Sequence, residues 1–492
     1  MVDGNAIRLA DRARGARRRP GDRRTRDGFR ADRDRGRDSG RALTDRRVTP
    51  RLWWLSPTAV TVTVAAIAIG LTATVGDERF RALWNTPKSI TDSMLVVMFC
   101  GALAMALGAL VVGALRPTRV TAGPWPDLPE AAVSGLRRIS TVLVTLTLVG
   151  YAGFGFLTVR AGIGWADLAG AAGYDGATPV KDAVGTIPGV TTMTQFGIAS
   201  VIVSTLVLTQ RFDRVELVKL LLVVGAALPR AYIFTERLAI LELVVPIAVL
   251  VCFRAAQSPR WARLLQFLPV LAIPAVVLFF SVFEYFRSWE FFRTTGESFW
   301  QFSTERVAGY YATALNNGYL EYTHLNVPTR RPLTTLQFLW DAPGVRGLGL
   351  YDQLAGRFPG RNGPVQDADY GFVLEHFGNL EFNNSSGYAV PLLDYGYTGG
   401  LIYFLIVGVV AGLLYRAFRE GHSAGLLLYP VLFVGLLELP RYMHWTQGRA
   451  FPAIVVLIGV AVWLNRCTRR ARLADSRRLP PVRVEAAAAS TL

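Results

Sequence analysis

Apolar residues in this chain gather into ten long runs, near 53–75, 90–115, 139–158, 189–209, 217–234, 235–253, 264–283, 397–415, 422–440 and 450–465, parted by polar and charged segments. A helix advances about 1.5 Å per residue, so a hydrocarbon layer about 30 Å thick is crossed by about 20 apolar residues. The pattern predicts an all-α polytopic membrane protein with about ten transmembrane helices. Runs five and six are parted only by the stretch from Pro229 to Glu236, which fits a tight hairpin or a broken helix equally well. One long interruption, 285–396, lies between helices 7 and 8.

Hydrophobic residues make up 51% of the 492, yet the formal net charge is +17, so apolar and basic residues are segregated along the chain. Residues 1–50 hold 16 Arg and 8 Asp with few large apolar side chains, the composition of a disordered tail. Beside a membrane span, a basic tail fixes orientation rather than binding nucleic acid, and a second basic stretch follows the last run. Both termini are predicted to be cytoplasmic and the membrane to be the plasma membrane. The chain then divides into a basic cytoplasmic tail (1–50), helices 1–7 (51–284), a large extracytoplasmic loop (285–396), helices 8–10 (397–465) and a basic cytoplasmic tail (466–492).

Of the 112 residues in 285–396, 22 are Phe, Tyr or Trp, against 11% aromatic in the whole chain, which predicts a folded segment. Aromatic faces beside Asn, Asp, Glu and Arg suit a sugar-bearing ligand, and the same composition serves a loop packed on the bilayer interface. Cys100, Cys252 and Cys467 are too scattered for a disulfide framework, and the four histidines do not pair at ligand spacing, so neither a metal nor a cofactor is expected. The chain has no solenoid period and no clear inverted repeat, which counts against the commonest transporter architectures.

Ionisable residues at membrane depth rarely lack a role. In LPRAYIFTERLAILELVVP, Arg230 and Arg237 flank the junction of helices 5 and 6 with Glu236 beside them, and Glu242 lies about 9 Å deeper at the helical rise. Arginine holds phosphate oxygens with a planar fork and stays charged at low dielectric, so this pair suits a lipid-linked pyrophosphate, or a structural pairing with the glutamates. In LLELPRYMHW, three- and four-residue spacing places Glu438, Arg441 and His444 or Trp445 on one helical face, with Pro440 breaking the ladder, which suits either a general base or an ion pair at a helix end. Within the large loop, TERVAGYYATALNNGYLEY and EFNNSSGYAVPLLDYGYTGG hold Arg306, Tyr310, Tyr311, Asn316, Asn317, Asn383, Asn384 and Asp394.

The run from EFNNSSGYAVPLLDYGYTGG into LIYFLIVGVVAGLLY, the earlier IPGVTTMTQ, and the pair Arg230 and Arg237 together resemble the oligosaccharide repeat-unit polymerases of the O-antigen polymerase type, over about residues 90–465. That resemblance implies an inverting membrane glycosyltransferase that works on the outer face without a metal. Its partners would be polyprenyl-pyrophosphate-linked oligosaccharide, the bilayer and other polysaccharide-assembly proteins. Arg230, Arg237, Arg306 and Arg441 would contact pyrophosphate or glycan, and His444, Glu438 and Glu242 are the candidate bases. A ligase would carry the same arginines and a similar loop. Asp77 and Glu78, in GDERF, match a polyprenyl-phosphate-sugar-dependent transferase, and a flippase or an assembly scaffold is the rival of a different class.

Overall fold

The computed structural model describes residues 52–115, 125–164, 189–233, 237–285, 298–325, 331–340 and 365–478, with a few isolated positions between. The predicted tail 1–50, the last residues 479–492 and Glu236 lie outside the described residues. All regular structure among the described residues is helical, and a helix stands on each of the ten apolar runs. In chain order these are α1 (Pro57–Thr74), α2 (Asp77–Trp84), α3 (Asp92–Leu115), α4 (Glu130–Arg160), α5 (Phe196–Gln210), α6 (Arg214–Ile233), α7 (Leu238–Ala255), α8 (Pro259–Leu265) and α9 (Leu268–Glu284). They continue with α10 (Phe299–His324), α11 (Gln337–Trp340), α12 (Val365–Phe377), α13 (Ala389–Arg419), α14 (Ser423–Glu438) and α15 (Phe451–Arg478).

Among the described residues, seven helices are long and apolar enough to cross a membrane, namely α1, α3, α4, the 191–210 segment containing α5, α7, α13 and α15. The pair α8–α9, bent by 51°, makes an eighth if it is one broken span. The two runs that fall short do so for physical reasons. Helix α6 carries Glu216, Lys219 and Arg230, and α14 has 16 residues, about 24 Å of helix against a core of about 30 Å. Large apolar side chains face outward all along the bundle: Val96, Leu107 and Leu110 on α3, Val270, Leu271 and Ile273 on α9, Ile402 and Ile406 on α13. Such a surface would drive aggregation in water and matches hydrocarbon, so this is a multi-pass helical membrane protein.

Helix α5 is central, with every residue from Gly197 to Val207 buried among α4, α6, α7, α14 and α15. Two helices can approach closely in hydrocarbon where small residues face each other. The sequence Gly408-Val-Val-Ala-Gly412 does this on α13: a Cβ at Gly408 would lie 2.0 Å from the Met105 carbonyl oxygen, and one at Gly108 of α3 would lie 2.2 Å from that of Leu405. A polar staple closes α4 against α5 and α6, where buried Glu216 accepts from Ser140 Oγ (2.7 Å) and Lys219 Nζ (2.6 Å) and Ser140 meets Ser204 (2.8 Å). Inside α13, Gly396 adopts φ 68°, a left-handed conformation that only glycine takes at low cost, and kinks the helix where the eighth apolar run begins.

Helix α10, in the middle of the segment predicted to be a loop, packs along α1, α2, α9, α12 and α13. Asn316 on it holds the turn before α3: its Oδ1 accepts from Ser89 N (2.7 Å) and Ile90 N (2.9 Å), and its Nδ2 donates to Pro87 O (3.1 Å). Asn317 donates to the Phe382 carbonyl and to Asn384 O (3.2 Å). Asp394 is buried and clamps residues 334–335, accepting from Thr334 N (2.9 Å) and from Thr335 N and Oγ1 (both 2.7 Å).

The helix contact through Gly408 gives a direct test. Gly408→Ala should destabilise the protein by about 2 kcal/mol or more, because the new methyl meets backbone that cannot yield. Gly113→Ala, which opens into free space, should be neutral in thermal unfolding of detergent-solubilised protein. Equal melting temperatures for the two variants would mean that α3 and α13 are not in contact at Gly408.

Candidate functional site

Three elements that are distant in sequence converge at the end of α9: the start of α7, the middle of α10 and the turn after α14. Glu284, the last residue of α9, has no exposed surface. It pairs with Arg237, lies 3.4 Å from Arg306 Nε, and accepts from Tyr310 Oη at 3.0 Å. Arg237 Nη2 also donates to Tyr310 Oη (3.1 Å), and its guanidinium lies 4.8 Å from the Phe280 and Tyr310 ring centres. Arg306 is bonded to Glu381 and sits 4.6 Å above the Phe382 ring. Arg441 Nη1 meets Glu438 Oε2 at 2.8 Å, and its guanidinium lies 5.6 Å from the Tyr310 ring. Tyr310 therefore joins both halves of the cluster.

Beyond Arg441 the chain turns into a short 3-10 helix, His444–Thr446. His444 Nδ1 lies 3.5 Å from Glu242 Oε1 of α7, and Arg449 Nη1 lies 3.8 Å from the same oxygen. Burial, with help from the Arg449 charge and against the pull of Glu438, lowers the His444 pKa to about 4, so the imidazole is neutral at pH 7. Arg230 donates to Thr194 Oγ1 (3.0 Å), reaches Tyr151, which also feels the charge of Glu242, and sits 5.0 Å above the Phe154 ring.

The arginines and carboxylates of the central cluster balance, Arg237, Arg306 and Arg441 against Glu284, Glu381 and Glu438. Its hydrogen-bonding capacity does not. Arg237 Nε and Nη1, Arg441 Nε and both ring nitrogens of His444 are buried without a hydrogen-bond partner. Buried donors are normally satisfied, and a guanidinium offers five N–H groups in a fixed fork, so several donors here are left for oxygens of something else. The Glu216 staple, by contrast, has its carboxylate met on both sides. Among the described residues, no group of three His, Cys, Asp or Glu side chains is arranged to hold a metal ion.

Of the residues singled out from the sequence, the structure brings together Arg237, Arg306, Arg441, Tyr310 and Glu438, with Glu242 and His444 adjoining. Tyr311 is half-buried, in the field of Glu438 and Arg441. Arg230 and Arg237 take different partners, Thr194 and Phe154 for one and Glu284 and Phe280 for the other. One detail of the sequence reading is corrected. One helical face does not carry Glu438 through Trp445: α14 already ends at Glu438, ahead of Pro440, which has no N–H to continue the ladder, and the following turn aims His444 at Glu242. Asn316, Asn317 and Asp394 have hydrogen bonds to the backbone of neighbouring segments, whereas Asn383 is exposed and Asn384 half-buried. Glu284, Glu381, Arg449 and Tyr151 were missed, and a charged residue at the end of the seventh apolar run was the available signal for Glu284.

Compared with known proteins, the chain matches no family model, no curated protein and no solved structure.

Removing one partner of a buried ion pair leaves an uncompensated charge, while replacing both with apolar groups need not. Glu284→Ala should therefore cost about 3–5 kcal/mol in thermal unfolding of the solubilised protein. The double variant Arg237→Met with Glu284→Leu should recover part of that loss. A fully stable Glu284→Ala protein would mean that these charges are hydrated in the folded state.

Proposed function

We propose that this chain is a membrane glycosyltransferase of the repeat-unit polymerase type, which extends a glycan by transferring it from polyprenyl pyrophosphate onto the next lipid-linked repeat. In this reading all ten helical runs cross the plasma membrane, with α6 and α14 sheltered by their neighbours, residues 285–396 face outward, and both termini are cytoplasmic. The observation that carries the proposal is the set of buried, unspent donors on Arg237 and Arg441 beside a neutral His444.

Transfer breaks the bond between the anomeric carbon and the pyrophosphate oxygen as an acceptor hydroxyl attacks from the opposite face. Negative charge then grows on the departing pyrophosphate, and fixed guanidiniums facing it stabilise the transition state more than the ground state. The hydroxyl proton needs an acceptor. With its proton on Nδ1, toward Glu242, His444 presents Nε2 as that base, and the carboxylate at 3.5 Å stabilises the imidazolium formed. Glu242 and Glu438 are the alternative bases. Arg230 is proposed to contact the glycan, together with Tyr310 and Tyr311, the exposed Asn383 and the half-buried Asn384. Asn316, Asn317 and Asp394 serve the same site by fixing the segments around it. A ligase would use the same chemistry with a different acceptor. A flippase would want charge along a path through the bundle, whereas Arg237, Arg306 and Arg441 gather around Glu284 and Tyr310, where the start of α7, the end of α9, α10 and the turn after α14 meet.

Chain-length analysis of the surface glycan tests this. Deleting the gene should leave single repeats outside the cell, whereas loss of a flippase leaves none. Returning Arg237→Lys or Arg441→Lys should restore little polymer, because an ammonium cannot reproduce the fork, and losing one such donor costs roughly 100-fold in rate, about 3 kcal/mol. Full-length polymer from both lysine variants at normal expression would reduce these arginines to structural ion pairs.

A further inference from the structure

A buried cluster of arginines cannot stand open while it waits for an anion, because each uncompensated guanidinium at such depth is expensive. Something must neutralise it in the absence of ligand, and that group must be able to leave. The three carboxylates of the cluster differ in how firmly they are built in. Glu284 has no exposed side-chain surface and is shared by Arg237, Arg306 and Tyr310. Glu438 is 8% exposed and tied to Arg441 through the same stretch of backbone. Glu381 is 17% exposed and belongs to no helix.

Glu381 sits on a strap, residues 378–387, that runs along α10. The strap is pinned at one end where Asn379 Nδ2 donates to Trp84 O (2.9 Å), and at the other where Ser386 N donates to Ala314 O (3.0 Å) and Gly387 N to Leu439 O (3.0 Å). Between these pins, Phe382 lies under the Arg306 guanidinium, and the carbonyls of Phe382 and Asn384 accept from Asn317. The side chain of Asn383 points out of the protein.

We propose that Glu381 is a resident competitor for the anionic part of the substrate: its carboxylate holds Arg306 in the free protein, and phosphate oxygens displace it on binding. Carboxylate and phosphate accept from a guanidinium in the same bidentate geometry, so the exchange replaces one good partner with another and never leaves Arg306 bare. Arg306 keeps its contact with Glu284 and its position over Phe382 throughout. Glu381 thereby sets the affinity for the anion, and its departure loosens the exposed Asn383 beside the anchored Phe382. This rests on reading the cluster as an anion site.

The test uses the full chain in detergent or nanodiscs and inorganic pyrophosphate as the probe. Glu381→Gln changes the balanced cluster by one positive charge and should bind pyrophosphate about five- to tenfold more tightly than wild type, the scale of one partly buried ion pair. Glu381→Asp, which keeps the competitor, should stay within about twofold of wild type. A nitroxide attached through Asn383→Cys in an otherwise native chain should gain mobility as pyrophosphate is added, a readout that does not depend on the Gln variant folding. Pyrophosphate binding to wild type with no gain in Glu381→Gln and an unchanged nitroxide spectrum would overturn the role of Glu381 and leave the anion site standing. No binding to either protein, with Arg237→Ala also indistinguishable, would remove the anion site and this proposal with it.

Discussion

A carboxylate with no exposed surface, wedged between guanidiniums of two different helices, constrains where α7, α9 and α10 can lie. Glu284 ends α9, Arg237 precedes α7 and Arg306 lies two turns into α10, so satisfying one buried charge fixes the mutual register of all three elements. Few other interactions in an apolar bundle have that directional power. Dispersion forces between apolar helices tolerate sliding, and the aromatic rings of Phe280, Tyr310 and Phe382 narrow the remaining freedom by covering the guanidinium faces.

The rest of the bundle supplies the rigidity that this arrangement needs. Close contact of α3 with α13 through Gly108 and Gly408 brings backbone against backbone, and α5 is buried along its length, so neither can yield when charges at one end of the molecule are rearranged. The segments between the helices are anchored by hydrogen bonds as well as by buried side chains such as Phe382 and Met443. The strap before α13 and the turn between α14 and α15 are of this kind, and together they carry Glu381, Arg441 and His444.

The apolar runs foretold a helix at each of ten places, and seven of those helices are long and apolar enough to cross a membrane, because hydrocarbon demands long uninterrupted runs and the sequence has little freedom to disguise them. What it could not reveal was which runs meet the full length and polarity of a span. Charges inside α6 and the shortness of α14 matter only in relation to the neighbours that cover them. The site was legible where a charge stood out against an apolar background, as Arg237, Glu242, Glu438 and Arg441 did. Glu284 stands at such an edge too, at the end of the seventh apolar run. Glu381 and Arg449 were hidden for a different reason, since among other polar residues their importance comes only from what lies opposite them in space. The helical register assumed for Glu438 through Trp445 failed at Pro440, where local backbone chemistry overrides a spacing argument.

Neutrality and readiness pull a buried cluster of arginines in opposite directions, and one geometry can serve both. Pairing each guanidinium with one carboxylate cancels net charge but uses only part of the fork, because five donors converge on a group that accepts on a single edge. Charge balance is therefore reached before hydrogen-bond balance. The unspent donors of Arg237 and Arg441 mark that difference, and it is largest beside Tyr310, which lies under both guanidiniums. A ligand rich in oxygens would gain there by completing hydrogen bonds, and would need to displace only the least buried carboxylate to bring its charge. A satisfied centre like the Glu216 staple offers no such gain, which is why these two buried, charged centres call for different explanations.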